Sequence, residues 1–189
     1  MPKSNITIFI KYYLPGYKSG GPIKTIKSLV STFEKKINFS IVTSDRDAGD
    51  HFPYKNIKQN KWIKNGLIKI NYTTNNLVSY IKLMNEKSIR DSKLKYFNSF
   101  FSFKYTILPL IFFKIISDKK TKILIAPRGE FSKEALKIKK IRKLIYLFIF
   151  KKIISFSSIF FQASNLKEYE NIKNILFKSK EKIFIARNL

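Results

Sequence analysis

Ile123-Leu-Ile-Ala-Pro-Arg-Gly-Glu-Phe-Ser132 is the stretch whose reading decides the fold. Ile123 to Ala126 are apolar without alternation, the pattern of a strand covered on both faces, as in a parallel sheet. Pro127 ends the strand. Ser132 is a natural N-cap, and Glu134 follows in the first turn, where the helix dipole favours an acid. The spacing predicts one helix from Ser132 to about Lys152, with Ile138, Ile141, Ile145 and Phe148 on one face and Lys137, Lys140 and Lys143 elsewhere.

The same alternation of strand, loop and helix recurs on either side. Upstream, Ile6, Ile8 and Ile10 mark a strand that breaks at Pro15-Gly-Tyr-Lys-Ser-Gly-Gly-Pro22. Pro22 suits a helix start, and Ile23, Ile26, Leu29, Val30 and Phe33 follow at helical spacing. A strand at Phe39–Thr43 ends in the polar loop Ser44–Asp50, and Trp62–Tyr72 is expected as a hairpin turned at Asn65-Gly66. Leu77–Lys87 reads as a helix and Leu94–Asn98 as a short strand. Phe103–Ile116 reads as a buried helix that Pro109 either kinks or begins. After a turn at Asp118–Lys122 and the central unit come a strand at Ser158–Phe161, a helix from Ser164 to about Phe177, and a strand at Lys182–Ala186. Such an order predicts an α/β fold with a doubly wound, parallel, Rossmann-like sheet, in one domain covering residues 1–189.

Composition narrows the chemistry. The chain has 189 residues, no cysteine and one histidine, His51, which excludes disulfides, thiolate nucleophiles and multi-histidine or cysteine zinc centres. The hydrophobic fraction of 44%, with 15% aromatics, builds a core despite a formal charge of +26. That charge is nearly all lysine; the arginines are Arg46, Arg90, Arg128, Arg142 and Arg187, whereas base readers rely on the arginine fork. Two readings of the lysines stand side by side: a functional basic surface, or a compositional bias shared with the many Ile, Asn and Phe residues. Phe100-Phe-Ser-Phe-Lys-Tyr105 has the makings of a base-stacking surface, yet no nucleic-acid module accompanies it, so nucleic acid is not expected as a partner.

The N-terminus has no signal-peptide pattern. The apolar stretches Tyr105–Ile116 and Leu144–Phe161 are interrupted by Lys114 and by Lys151-Lys152, and suit interfacial or core-packed helices better than spanning ones.

In a parallel sheet ligands gather at the carboxyl ends of strands, so the loops there hold the candidate residues. In the first, Gly20-Gly21 against a helix N-terminus makes an anion site or simply a tight turn; it is neither a Walker loop nor G-x-G-x-x-G. The second carries Asp45, Asp47 and Asp50 beside Arg46, either a receiver of sugar hydroxyls or a solvated loop, while His51 lacks an evident orienting partner. In the third, Arg128 is placed to clamp a phosphate or carboxylate, or else to pair with Glu130.

Taken together, Tyr13-Leu-Pro-Gly-Tyr-Lys-Ser-Gly-Gly-Pro-Ile23, Thr43-Ser-Asp-Arg-Asp47, Tyr96-Phe-Asn-Ser-Phe-Phe101, Ala126-Pro-Arg-Gly-Glu130 and Ala135-Leu-Lys-Ile-Lys-Lys140 resemble, in order, the N-terminal half of bacterial family 4 glycosyltransferases of the GT-B fold. The resemblance implies a retaining transfer of a hexosyl group from a nucleotide-sugar donor to a saccharide or lipid-linked acceptor in capsule, lipopolysaccharide or other cell-surface polysaccharide synthesis, without metal or other cofactor. It implies that Gly20 and Gly21 face the donor diphosphate, and that Lys18, Asp45, Arg46, Asn98, Arg128, Gly129 and Glu130 lie on the acceptor side or line the cleft. Some members carry histidine where Arg128 stands, so no catalytic residue is assigned. Lys137, Lys140, Lys143, Lys151 and Lys152 would meet an anionic membrane, placing the protein in the cytoplasm, peripheral on the inner face of the plasma membrane.

Family members continue into a donor-binding domain with paired glutamates, which these residues do not include. The expectation is therefore a truncated or split enzyme that binds the nucleotide-sugar only with a C-terminal domain, for instance one separately encoded. The alternative is a non-catalytic remnant that binds membrane or acceptor.

Overall fold

The computed structural model describes residues 3–116, 122–153, 159–176 and 182–187. The chain is a mixed α/β protein; the described residues form eight strands, mostly parallel, flanked by helices, the Rossmann-like class that the sequence predicts. It forms two compact units, residues 1–95 and 96–188.

The first unit contains β1 (Ser4–Phe9), α1 (Gly21–Phe33), β2 (Ile37–Ser44), β3 (Trp62–Asn65), β4 (Ile68–Thr73), α2 (Leu77–Met84) and α3 (Lys87–Arg90). Its strands lie in the order β3-β4-β2-β1, with β2 parallel to both β1 and β4. Ile8, Ile41 and Ile70 are direct partners across those three strands and are at most 1% exposed, so β-branched side chains form one row of the core. Each such burial contributes about 1.5–3 kcal/mol. α1 lays Ile23, Ile26 and Val30 on one face, as the helical spacing requires. β3 and β4 are the expected hairpin, but Asn65 pairs with Ile68, so the turn is Gly66-Leu67, one residue later than Asn65-Gly66. Gly66 has φ 62°, the left-handed conformation that glycine adopts without a steric penalty. The helix expected over 77–87 ends at Met84, capped at its start by Asn76, whose side chain accepts the Ser79 N–H.

β5 (Leu94–Phe97) spans the boundary between the units. The second unit holds a wide helical turn at Phe103–Ile107, α4 (Leu108–Ile116), β6 (Lys122–Ile125), α5 (Lys133–Lys137), α6 (Lys140–Ile153), β7 (Ile159–Ala163), α7 (Leu166–Leu176) and β8 (Ile183–Ile185). β7 is parallel to β6 and β8, its neighbours on either side. Pro109 marks the first turn of α4, where its missing N–H costs nothing. The core here is aromatic: Phe100 lies 4.7 Å from Phe131 and 4.6 Å from Phe150, and Phe150 meets Phe161 edge-on at 5.8 Å, ring centroid to centroid. Most of the turn at 118–122, Ser158, Phe177 and the end at 188–189 lie outside the described residues.

The single helix expected from Ser132 to Lys152 is two helices. Ile138 is extended and Lys139 left-handed (φ 54°), which breaks the ladder between α5 and α6. The apolar face that the spacing marks is turned to solvent. Ile138, Ile141, Ile145 and Phe148 are all more than half exposed, while Tyr146 and Phe150 are buried. Apolar residues run round most of α6, so periodicity alone does not choose a face; the aromatic cluster takes Phe150, and Tyr146 stacks on Phe101 at 6.4 Å. Among the described residues no helix is long and apolar enough to cross a membrane.

Candidate functional site

In the first unit the glycine loop is held from below by Asp47. Its carboxylate, 3% exposed, accepts the backbone N–H of Tyr17 at 2.8 Å, Lys18 at 3.1 Å and Ala48 at 2.7 Å. Burial pushes the Asp47 carboxyl up, but the three backbone donors and the Lys18 charge together outweigh it and hold the group below its ordinary 3.8. Gly16 is required where it stands, because a Cβ there would strike the Tyr54 hydroxyl and lie 2.8 Å from the Asp47 carboxylate. Burial, followed by Asp47, pushes the Tyr54 phenol up, so it stays neutral beside that carboxylate. The loop then runs to Gly20, the N-cap of α1, at φ 40° and with no side-chain cap. A Cβ on Gly20 or Gly21 would meet nothing within 4 Å. The first-turn N–H groups of α1 have no intrahelical acceptor, the usual basis for holding an anion.

The other candidates in this unit are already engaged. Lys18 is paired with Asp50, a contact that raises the lysine pKa. Asp45 is 2% exposed and takes Arg46 Nε at 2.9 Å and Nη2 at 3.2 Å, a bidentate pair; Arg46 Nη1 also donates to the His51 carbonyl at 2.5 Å. Asp45 and Arg46 therefore brace the loop after β2. Sequence reasoning passed over Asp47 as one acid among three. It also passed over Tyr17 and Phe52, which these braced loops leave 76% and 83% exposed.

The second unit brings Tyr96, Asn98, Arg128, Glu130 and Glu168 together. Arg128 follows β6 with φ 55°, Gly129 follows at φ 79°, and this left-handed pair turns the guanidinium onto β5's end. Nε donates to Asn98 Oδ1 at 2.7 Å and Nη2 to the Tyr96 hydroxyl at 2.5 Å. Tyr96 donates in turn to Gln162 Oε1 at 2.9 Å, and burial pushes its phenol up despite Arg128. Glu130 accepts Ser99 Oγ at 2.7 Å and the N–H groups of Phe100 and Phe101 at 2.5 and 3.0 Å, tying the loops after β5 and β6 together. Glu168, 6% exposed, accepts the Gly129 N–H at 2.7 Å and both N–H and Oγ of Ser164. Nothing in the sequence marks Glu168, since its role depends on a loop nearly forty residues away. Ser132 caps α5 as expected, accepting the Ala135 N–H at 3.1 Å.

Of the lysines expected at a membrane, Lys137, Lys140 and Lys151 are exposed. Lys143 folds back to the Ala135 carbonyl and over the Phe101 ring at 4.9 Å. The Lys152 side chain lies outside the described residues. Among the described residues no group of three or more histidine, aspartate or glutamate side chains is placed to hold a metal ion. The sequence matches no family model, and no curated protein matches it either.

Proposed function

We propose that the chain is the acceptor-side half of a retaining sugar transferase. With a donor-binding domain, it would move a hexosyl group from a nucleotide-sugar to a saccharide or lipid-linked acceptor. The supporting observation is the Asp47 anchor, which fixes the glycine loop at the N-terminus of α1 while the neighbouring loop presents Phe52. In such a transfer the bond between the anomeric carbon and the diphosphate breaks, the acceptor oxygen bonds to that carbon, and the acceptor hydroxyl proton passes to the departing diphosphate oxygen. Negative charge grows on the leaving diphosphate. The first-turn N–H groups of Gly21 and Ile23, at the N-terminus of α1, would donate to that charge. Exposed Tyr17 and Phe52 offer flat apolar faces to a pyranose ring.

The test is transfer of labelled hexose from a panel of nucleotide-sugars to lipid-linked saccharides, with a donor-binding domain co-expressed. Labelled product that Gly20→Pro abolishes supports the reading; no product with any donor removes it.

A second reading is favoured by α6. Ile141, Leu144, Ile145 and Phe148 recur at i, i+3, i+4 and i+7, all more than half exposed, with Lys140 and Lys151 at the two ends. That is the pattern of a helix lying in a bilayer interface, where apolar burial and attraction to anionic headgroups add. In this reading the protein is a peripheral membrane protein of the cytoplasmic leaflet, whether or not it transfers sugar. Flotation with anionic but not neutral liposomes supports it; flotation with neither counts against it.

A further inference from the structure

We propose that the first unit holds internal water in a polar seam of its sheet, against Asn71 and the neighbouring Ser40 and Thr7. The proposal goes beyond the sugar-transfer reading and is independent of it, because these side chains lie within strands rather than in the loops that reading uses.

The decisive observation is the Asn71 side chain. It is 1% exposed, and neither Nδ2 nor Oδ1 has a hydrogen-bond partner among the described residues. Turning the amide over changes nothing, since both of its ends are in the same condition. The hydroxyl of Thr7, a fully buried residue, is in that condition too. Donors and acceptors buried without partners are costly, and folded proteins meet nearly all of them.

The strand register places these groups on one face of the sheet. Asn71 is level with Val42, and Thr7 with Ser40. Ser40 and Val42 are two residues apart in β2, so all four side chains project to the same side. The polar groups nearest Asn71 along the sheet are directed elsewhere. Trp62, its direct partner in β3, donates Nε1–H to Glu86 at 2.6 Å, and Lys69 sets its Nζ over the Trp62 ring at 4.4 Å. Thr73 donates to the Thr43 carbonyl at 2.8 Å. In β2 the neighbours of Asn71 on this face are Ser40 and Val42, short side chains that leave depth beside the amide, whereas the other face is filled by Ile8, Ile41 and Ile70.

The chemistry of the amide selects the occupant. It must accept from the NH2 group and donate to the carbonyl. A metal ion meets only the carbonyl and an anion only the NH2, while water does both, and a buried water commonly makes about three such bonds. Ser40, 6% exposed, and Thr7 add hydroxyls that also donate and accept, and a seam so nearly closed to solvent admits nothing much larger than water.

The test follows transfer of magnetisation from water to the isotope-labelled full-length chain in the rotating frame, where dipolar contact and proton exchange carry opposite signs. The expected result is a dipolar cross-peak from water to the Asn71 side-chain NH2 group. An exchanging hydroxyl proton of Ser40 or Thr7 relays a similar signal, so the measurement is repeated with Ser40→Ala and with Thr7→Val, and the Asn71 cross-peak is expected to persist in both. An Asn71 NH2 signal with no dipolar contact to water overturns the proposal, since the amide is then met within the chain. Loss of the cross-peak in either variant overturns it as well, because a hydroxyl proton was then its source.

Discussion

Asp47 Oδ2 lies 2.8 Å from the backbone nitrogen of Tyr17, thirty residues away, so a side chain after β2 shapes the loop after β1. Asp47→Asn replaces an ionised acceptor of three N–H bonds by a neutral one and is expected to cost about 2 kcal/mol in urea unfolding. The pH dependence has a definite sign. The folded carboxyl is held below 3.8, so its contribution is complete above that value and is lost as pH falls through the lower folded value. The variant should lack that acid-sensitive component.

Gly16→Ala places a methyl group against the Tyr54 hydroxyl and the Asp47 carboxylate. Destabilisation by about 1–3 kcal/mol is expected from such overpacking. Gly21→Ala, where a Cβ meets nothing, should change stability far less in the same unfolding measurement.

Lys95 is fully buried, and its Nζ donates to the Arg90 carbonyl at 3.0 Å. Burial pushes its ammonium from 10.5 down to about 8, with Asp91 pulling weakly the other way. Between those two values the unfolded chain binds more protons than the folded one, so wild-type stability should rise with pH through that window, by about 3 kcal/mol at most. Lys95→Met should flatten the rise. Tyr13, pushed up to about 12 by burial, acts in the opposite sense above pH 10, but equally in both proteins, so the comparison cancels it.

Phe150 and Phe148 distinguish the two faces of α6. Phe150→Ala opens a cavity in the aromatic cluster and should cost about 3–5 kcal/mol, whereas Phe148→Ala, 62% exposed, should be nearly neutral. Ile141→Asp and Ile145→Asp should leave the melting temperature in place and abolish flotation with anionic liposomes.

Much of the fold was legible because local signals agreed. The unbroken apolar run at Ile123–Ile125, Pro109 at a helix start and Ser132 as a cap each has one cheap local solution. Faces were less legible than elements. In α6, where apolar side chains point nearly everywhere, the choice falls to Phe150's partners Phe100, in the loop after β5, and Phe161, in β7, which no periodicity encodes. The site shows the same division. Gly20 and Arg128 stood out through backbone rules and charge, while the carboxylates that brace their loops, Asp47 at Tyr17 and Lys18 and Glu168 at Gly129, act across gaps of about thirty to forty residues.

The most direct measurement is hexose transfer to a lipid-linked saccharide by the chain co-expressed with a donor-binding domain, in anionic vesicles. The account predicts labelled lipid product that disappears with Gly20→Pro and is retained with Phe148→Ala. No labelled product from any nucleotide-sugar, with the chain folded and membrane-bound, would contradict it.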